Sequence, residues 1–478
     1  MGGHNGLKAV IWNDTATGGG NPGEARTLKN TKFVTPCHRV WITTGAGGNA
    51  GVATPRGMNL TPTTIYRSIR TTFARNLALL WVGQTISMAG DSVYTKALIW
   101  LLLDMTGSSG TTGLVAVSAY LPTLLTGVWA GAVVDRSDHR RVMIAADGVR
   151  ALLVLLVPIL FAFGALTPSL LFCITFLVAT GATFFNPARD ALIPSLVSAQ
   201  THLLRANALI QSSWMFALLL GPAVAMAFLS LLGAHTQHLF IFGAAAYLIS
   251  LMCIVALRTS REPQDSAHEP STLHRDLAEG IRYAFRNRVV RGLLLITAAD
   301  NLFIMGPAGV GMAVFVREVL KRDIGSLMAI EVCYAIGMIV RTALLPLWNR
   351  RFGYGKILIA GMVLDGVTFV PLLWVETLWG TMATIVIHSL AIPLLVVPRP
   401  ALVQHIVPLN LQGRVFSMIG VTVVGFTAIS TGLTGLVTEW IPMPRVYAFI
   451  GLAAALCGVW GYAMKDLREA VSANRGRG

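Results

Sequence analysis

Five carboxylates, Asp91, Asp147, Asp300, Glu331 and Asp365, stand inside long apolar stretches of a 478-residue chain. A carboxylate in hydrocarbon costs about 2.5–3.5 kcal/mol on insertion scales, so each one that persists there is a functional candidate. The chemistry open to such a group is proton uptake and release, because burial favours the neutral acid and a nearby cation favours the charged one. Counted at ~1.5 Å per residue from Leu77, Asp91 falls roughly 20 Å into its stretch, a little past the middle of a ~30 Å core. Lys96 is about 500° further round the same helix and cannot pair with it. His388 lies near mid-depth of another stretch, where an imidazole can take up protons at physiological pH. Glu331 and Arg341 share a stretch but sit ~15 Å apart along the axis and about 80° apart around it, so each needs a partner elsewhere. Asp91, Asp300, Glu331 and His388 are the proton-coupling candidates. The competing readings are a hydrogen-bonded structural carboxylate for Asp91 and a satisfied, neutral imidazole for His388.

What must position these groups is a set of membrane helices. The chain is 54% hydrophobic and 12% charged, whereas charged residues make up roughly a quarter of an ordinary soluble domain. A formal charge of +15 would suit nucleic acid only if the basic residues shared one folded face. They fall between apolar runs instead, as positive-inside topology requires, and nucleic acid is not an expected partner. The five cysteines, Cys37, Cys173, Cys253, Cys333 and Cys457, show no metal-site or disulfide spacing, and neither metal nor cofactor is expected.

Twelve apolar stretches have the length of a membrane span, at about 77–103, 113–134, 142–165, 168–187, 206–232, 238–257, 292–316, 324–348, 356–375, 378–398, 414–437 and 446–464. Pro122, Pro158, Pro222, Pro307 and Pro393 fall inside them and are tolerated in membrane helices. The loops after even-numbered spans carry the arginines and lysines, while those after spans one, three, five and nine carry none. Both termini are therefore expected in the cytoplasm, with the chain crossing the inner membrane many times. Arg317, Lys321 and Arg322, after the seventh span, run against this rule.

Residues 1–72 are rich in Gly, Thr and Asn and are expected to form a disordered cytoplasmic extension; translation from Met58 is also compatible with the sequence. A six-helix bundle is expected over 73–257, a cytoplasmic loop with an amphipathic surface helix over 258–291, a second six-helix bundle over 292–464 and a basic tail over 465–478. The halves also match each other in sequence: Pro187 to Ile193 (PARDALI) pairs with Val397 to Val403 (VPRPALV), aligning Arg189 with Arg399, and Arg205 then pairs with Arg414. Arg136 and Arg141 likewise match Arg351 and Lys356, beside Arg350. Two matches at nearly one offset indicate duplication.

Gly131 to Arg141 (GAVVDRSDHRR) resembles the loop between helices two and three of the major facilitator superfamily, with one extra residue before the arginine pair. Trp81 to Tyr94, Ile144 to Leu152, Asn186 to Val197 and Arg205 to Leu209 are similar to its enterobactin-exporter and macrolide-efflux branch. The resemblance spans about residues 73–465. It implies an all-α membrane protein with twelve helices in two pseudo-symmetric bundles, alternating access, and export of a siderophore, macrolide or other drug by proton antiport from a monomer among membrane lipids. It also favours Asp91 and Asp300, on cavity-lining helices one and seven, over Asp147 and Asp365 on helices three and nine. Gly131, Asp135, Arg136, Arg140, Arg141, Asp147 and Arg150 are expected to form a gate, the glycine by close helix approach and the arginines by pairing with neighbouring helix ends. Arg350, Arg351 and Lys356 would be its counterpart in the second half, and Arg189, Arg205, Arg399 and Arg414 the repeated inner loops. Phe184, Phe185, Trp214 and Arg341 are candidates to line a cavity for a large cargo.

No G-x-x-x-x-G-K-[ST] loop, H-E-x-x-H or G-x-S-x-G motif occurs, so ATP hydrolysis and intramembrane enzymology are not expected. The main alternative is a lysophospholipid flippase of the same superfamily, and after it a membrane scaffold.

Overall fold

A computed structural model describes residues 31–35, 38–44, 50–53, 62–196, 200–232, 235–257 and 282–470. The chain divides into two units, residues 1–71 and 72–478. In the first, expected to be disordered, β1 (Thr31–Thr35), β2 (His38–Thr44) and β3 (Ala50–Ala53) form an antiparallel sheet in that order. Thr31 opposes Ile42 and Trp41 opposes Ala53. The β-branched and aromatic residues of FVT and VWITT favour strands, but these runs are short and stand in a stretch otherwise rich in Gly, Thr and Asn, and that composition hides them.

The second unit is helical throughout its described length. Its spans are α1 (Arg75–Thr106), α2 (Ser109–Gly127 continued by Trp129–Asp135 after a 61° bend), α3 (His139–Ala162), α4 (Pro168–Leu196), α5 (Ala206–Leu231) and α6 (His238–Val255) in the first half. The second half has α7 (Arg288–Glu318), α8 (Ile324–Leu345), α9 (Tyr354–Leu373), α10 (Leu378–Ile406), α11 (Leu411–Thr438) and α12 (Met443–Ala463). Among the described residues eleven of these are each long and apolar enough to cross a membrane, and α2 makes up the expected twelve when its two bent parts are taken as one span. Polar side chains start them: Ser108, Asp138, Thr167, Asn287, Asp323 and Thr377 each accept a hydrogen bond from a first-turn amide, satisfying donors a helix cannot pair internally.

Helix packing repeats across the halves. Contacts of α2 with α4 and α3 with α6 correspond to α8 with α10 and α9 with α12, and the halves meet where α2 packs on α11 and α8 on α5. Large apolar side chains such as Leu152, Phe163 and Leu231 remain exposed on the outside, as suits a lipid-facing surface. Trp374, Trp379 and Trp440 are more than 70% exposed near the ends of α9, α10 and α11, the arrangement of an interfacial aromatic belt.

Inside α7 the regular ladder gives way to π-helical turns at Asn301–Met305 and Pro307–Gly311. Such turns release backbone groups and often mark functional positions. Here the Pro307 carbonyl accepts from Tyr447 Oη at 3.1 Å, and the Gly306 amide donates to Ser430 Oγ at 2.8 Å. The expected amphipathic helix of the central loop lies mostly outside the described residues. Its last turn, 282–286, is helical, with Ala284 buried and Phe285 exposed.

Candidate functional site

In the first half the acids gather around one arginine. Arg150 on α3 is buried and pairs with Asp147 three residues earlier at 3.3 Å and with Asp91 on α1. Its Nη2 also donates to Tyr247 Oη on α6 at 3.0 Å, and its guanidinium carbon stands 4.1 Å from the centre of the Tyr247 ring. Tyr247 Oη in turn donates to Asp91. The arginine stem fits because α4 has a glycine beside it: a Cβ on Gly181 would lie 2.7 Å from Arg150 Cγ. Asp147 is fully buried, whereas the Asp91 side chain is 41% exposed. One fixed cation thus serves a buried acid and an acid open to solvent.

In the second half Asp300 on α7 pairs with Arg399 on α10 at 3.1 Å, both largely buried. Asp365 on α9 and His388 on α10 are each 1% exposed, with His388 Nδ1 3.5 Å from Asp365 Oδ1 and 3.0 Å from Thr368 Oγ1. Neither Asp365 oxygen nor His388 Nε2 has a hydrogen-bond partner. The two candidates separate accordingly: Asp300 has a permanent counter-ion, while His388 joins the acid that the family resemblance disfavoured. Asp365 carries a signal in the sequence, since Asp147-Gly148-Val149 on α3 recurs as Asp365-Gly366-Val367 on α9.

Three polar links join the halves at the end of the bundle away from the signature loop. Lys96 on α1 pairs with Glu331 on α8, giving both the off-helix partners that their azimuths demand. Arg317 at the end of α7 lies 3.5 Å from Asp104 at the end of α1, which accounts for a cation on the side where the charge rule expects none. Glu439, just beyond α11, accepts from the Gly110 amide at 2.6 Å and Ser108 Oγ at 2.7 Å at the start of α2. Those bonds, the backbone one first, hold its carboxyl below the ordinary glutamate range. Helices α2 and α11 approach closely here because both present glycine: a Cβ on Gly113 would lie 2.8 Å from Gly435 Cα.

Among the described residues, the signature loop keeps its side-chain contacts within the first half. Arg140 donates to the carbonyls of Ile254 and Val255 at the end of α6, the helix-end pairing expected of it. Arg141 pairs with Asp138 at 3.7 Å on an exposed surface, and Asp135 and Arg136 are exposed. Two expectations are corrected. A Cβ on Gly131 would meet nothing within 4 Å, so no close helix approach depends on it here; and Asp147 and Arg150 belong to the Asp91 cluster, because both side chains turn into the helix core. Arg189 pairs with its neighbour Asp190 at 2.8 Å and donates to Asn186 at 3.2 Å, so the aligned Arg189 and Arg399 do different work. Lys356 is exposed and Arg414 half-buried; the side chains of Arg205, Arg350 and Arg351 lie outside the described ones.

Of the cavity candidates, Phe185 is corrected to a core residue, 2% exposed in the cluster that contains Leu80, Met143 and Ile210, and Phe184 packs against that cluster. Trp214 is 37% exposed, and Arg341 is half-buried on α8. Sequence reasoning missed Glu439 altogether, because its partners are backbone and hydroxyl donors more than 300 residues away. Among the described residues no cluster of His, Cys, Asp or Glu could hold a metal ion.

Residues 70–474 match the family described as transmembrane secretion effector. Over 343 residues the chain is 22% identical to macrolide efflux protein A of Streptococcus pyogenes, covering 71% of this chain and 84% of that protein. It is 23% identical over 401 residues to the multidrug efflux pump Tap of Mycolicibacterium fortuitum, covering 82% and 96%. The fold resembles that of a point mutant of the nucleoside transporter NupG, with a TM-score of 0.67 at 12% identity over 82% of this chain and 100% of that one.

Proposed function

Because the chain belongs to the transmembrane secretion effector family of major facilitator transporters, we propose that it exports a drug-like or secondary-metabolite small molecule, such as a macrolide or a siderophore, by alternating access driven by proton antiport. The observation that carries this reading is the asymmetry between the two ends of the bundle. At one end Arg317–Asp104 and the Glu439 cap on α2 tie the halves together, and at the other the inter-helix contacts described for the signature loop, those of Arg140, run to its own α6. Such an asymmetry supports a transporter closed at its outer end, with a gate able to form at its inner end once the halves rock. The basic loops favour a cytoplasmic side for the signature loop. Asp91, half exposed beside Arg150, offers a carboxylate that cargo or a proton can reach while its charge is still balanced.

The test is uptake of a radiolabelled macrolide into inside-out vesicles carrying an imposed pH gradient. Gradient-dependent accumulation abolished by an uncoupler supports antiport. Lipid translocation indifferent to the gradient, with no macrolide uptake, would sink the export reading.

A further inference from the structure

Beneath the cavity-lining helices, Asp365 and His388 form a buried acid–base pair that the proposed mechanism leaves without a task. We infer that Asp365 and His388 share one proton between them and that this pair, inside the second half, is a station for the proton exchanged against cargo. The inference rests on the antiport reading above.

The geometry carries it as follows. The two side chains face each other at 3.5 Å, each 1% exposed, and no arginine or lysine is described as bonding to either. With one proton the pair is neutral overall, as carboxylic acid beside imidazole or as carboxylate beside imidazolium. Removing that proton leaves a bare carboxylate in a dry interior, and adding a second leaves an imidazolium with no counter-charge. Both cost several kcal/mol where water is excluded, so at neutral pH the pair holds one proton as a unit.

The surrounding groups do not change that count. On α7, Asp300 is within electrostatic reach of Asp365, but Arg399 on α10 balances it at 3.1 Å. On α8, Glu331 is balanced by Lys96 and Tyr334 is half-buried. On α12, Tyr447 gives its hydroxyl to the Pro307 carbonyl. On α9 itself Thr368 Oγ1 contacts His388 Nδ1, and Lys356 is nine residues away, ~13 Å along the axis. Lys465 and Arg468 follow the inner end of α12, ten or more residues beyond Ala455, which faces Gly366.

The pair is also placed to feel helix movement. The Phe369 ring centre lies 4.0 Å from that of His388, and the same ring stacks on Tyr447 at 5.1 Å. Tyr447 donates to the carbonyl of Pro307, the first residue of the second π-helical turn of α7, seven residues after Asp300. Rocking that withdraws Asp300 from Arg399 would leave a second uncompensated carboxylate near Asp365, and rocking that shifts Tyr447 would alter the cover over His388. Either change alters the pair's hold on its proton without any group crossing the bundle.

The experiment is infrared difference spectroscopy between acid and alkaline pH on the full-length protein in lipid bilayers, for wild type, Asp365→Asn and His388→Gln. The expected result is one step in which a carboxyl and an imidazole band change together, with each substitution shifting or removing its partner's band. If the imidazole of Asp365→Asn and the carboxyl of His388→Gln both keep their wild-type midpoints, the shared proton is refuted. Either variant suffices to decide this if the other does not insert. In the vesicle assay Asp365→Asn should lose at least tenfold in gradient-driven macrolide uptake while retaining gradient-free exchange, and uptake equal to wild type would overturn the coupling role. Absence of gradient-driven uptake by the wild type would refute the antiport reading instead, and the spectra would still decide whether the proton is shared.

Discussion

The third helix of each half carries the same three residues, Asp147-Gly148-Val149 and Asp365-Gly366-Val367, and the halves part company at the residue that follows. It is Arg150 in the first and Thr368 in the second. In the first half a permanent cation reaches two acids and a tyrosine, so both acids have a counter-ion that does not titrate. In the second half Thr368 leaves Asp365 facing only a histidine, while the local arginine, Arg399, is committed to Asp300. A duplicated scaffold has thus kept its buried acid and changed its counter-ion. One half keeps a permanent counter-ion beside its acid, and the other sets a titratable imidazole there.

The largest effect that would break this comparison comes from Arg150. Arg150→Met leaves Asp147 charged and wholly buried, and removing one partner of a buried pair costs about 3–5 kcal/mol. Thermal unfolding in detergent should show a loss of that order, partly restored when Asp147→Asn is added. In the second half, Asp365→Asn removes an acid that protonation can already neutralise and should cost about 1 kcal/mol, near the net worth of one hydrogen bond. Equal losses in the two halves would mean that Asp365 is held as a charged group, as Asp147 is by Arg150.

Asp91→Asn sharpens the same contrast at the level of transport. It keeps shape and hydrogen bonding to Tyr247 but removes the exposed half of the Arg150 charge pair. Gradient-driven uptake should fall by roughly tenfold, the effect of about 1.4 kcal/mol on the coupled step, with the melting temperature little changed. Unaltered uptake with unaltered stability would remove Asp91 from the coupling chemistry and leave the first half a purely structural cluster.

Thr368→Val tests what stands in place of the arginine. The hydroxyl meets His388 Nδ1 at 3.0 Å, so its loss frees that nitrogen to approach Asp365. An effect of about 1 kcal/mol would appear as a shift of less than one unit in the infrared midpoint, with stability nearly unchanged. A shift as large as that of Asp365→Asn would make Thr368 a member of the proton site.

The spans were legible in the sequence because a helix must offer some 20 apolar residues to hydrocarbon whatever its neighbours are. The azimuths of Lys96, Glu331 and Arg341 were legible for a similar reason, since helix geometry alone forbids the intrahelical pairs. Which residue on another helix completes a pair was not. Asp91 meets Arg150 only because α1 and α3 bring those two faces together and Gly181 on α4 vacates the space, and neither fact has a local signature. Arg150 read as part of a loop motif because three arginines precede it closely in the chain, although its side chain turns inward. The proton pair was hidden for a different reason. A lone buried histidine is commonly a satisfied one, and Asp365 fell on a helix that the family pattern sets apart from the cavity.

A third kind of carboxylate stands at the junction of the halves and should give the smallest effect. Glu439 is exposed, with no cation described beside it; its charge is favoured by the Gly110 amide and the Ser108 hydroxyl. Its carboxyl titrates below the ordinary glutamate value, so its contribution to closing the outer end is fully present above that value and is lost as pH falls through the lowered one. At neutral pH Glu439→Gln should therefore shift the open-to-closed ratio by only about threefold, the scale of a solvent-screened helix cap. Cysteine accessibility at the outer ends of α2 and α11 would read the shift, which should shrink as the medium is acidified toward the glutamate range. The Asp365 and His388 pair sits in the dry interior of the same half and changes its proton count near neutral pH only where helix movement alters its surroundings, while Glu439 stays fully charged. If accessibility at the outer end follows neutral pH with Glu439→Gln in place and loses that response in His388→Gln, the buried pair rather than the exposed cap governs closure.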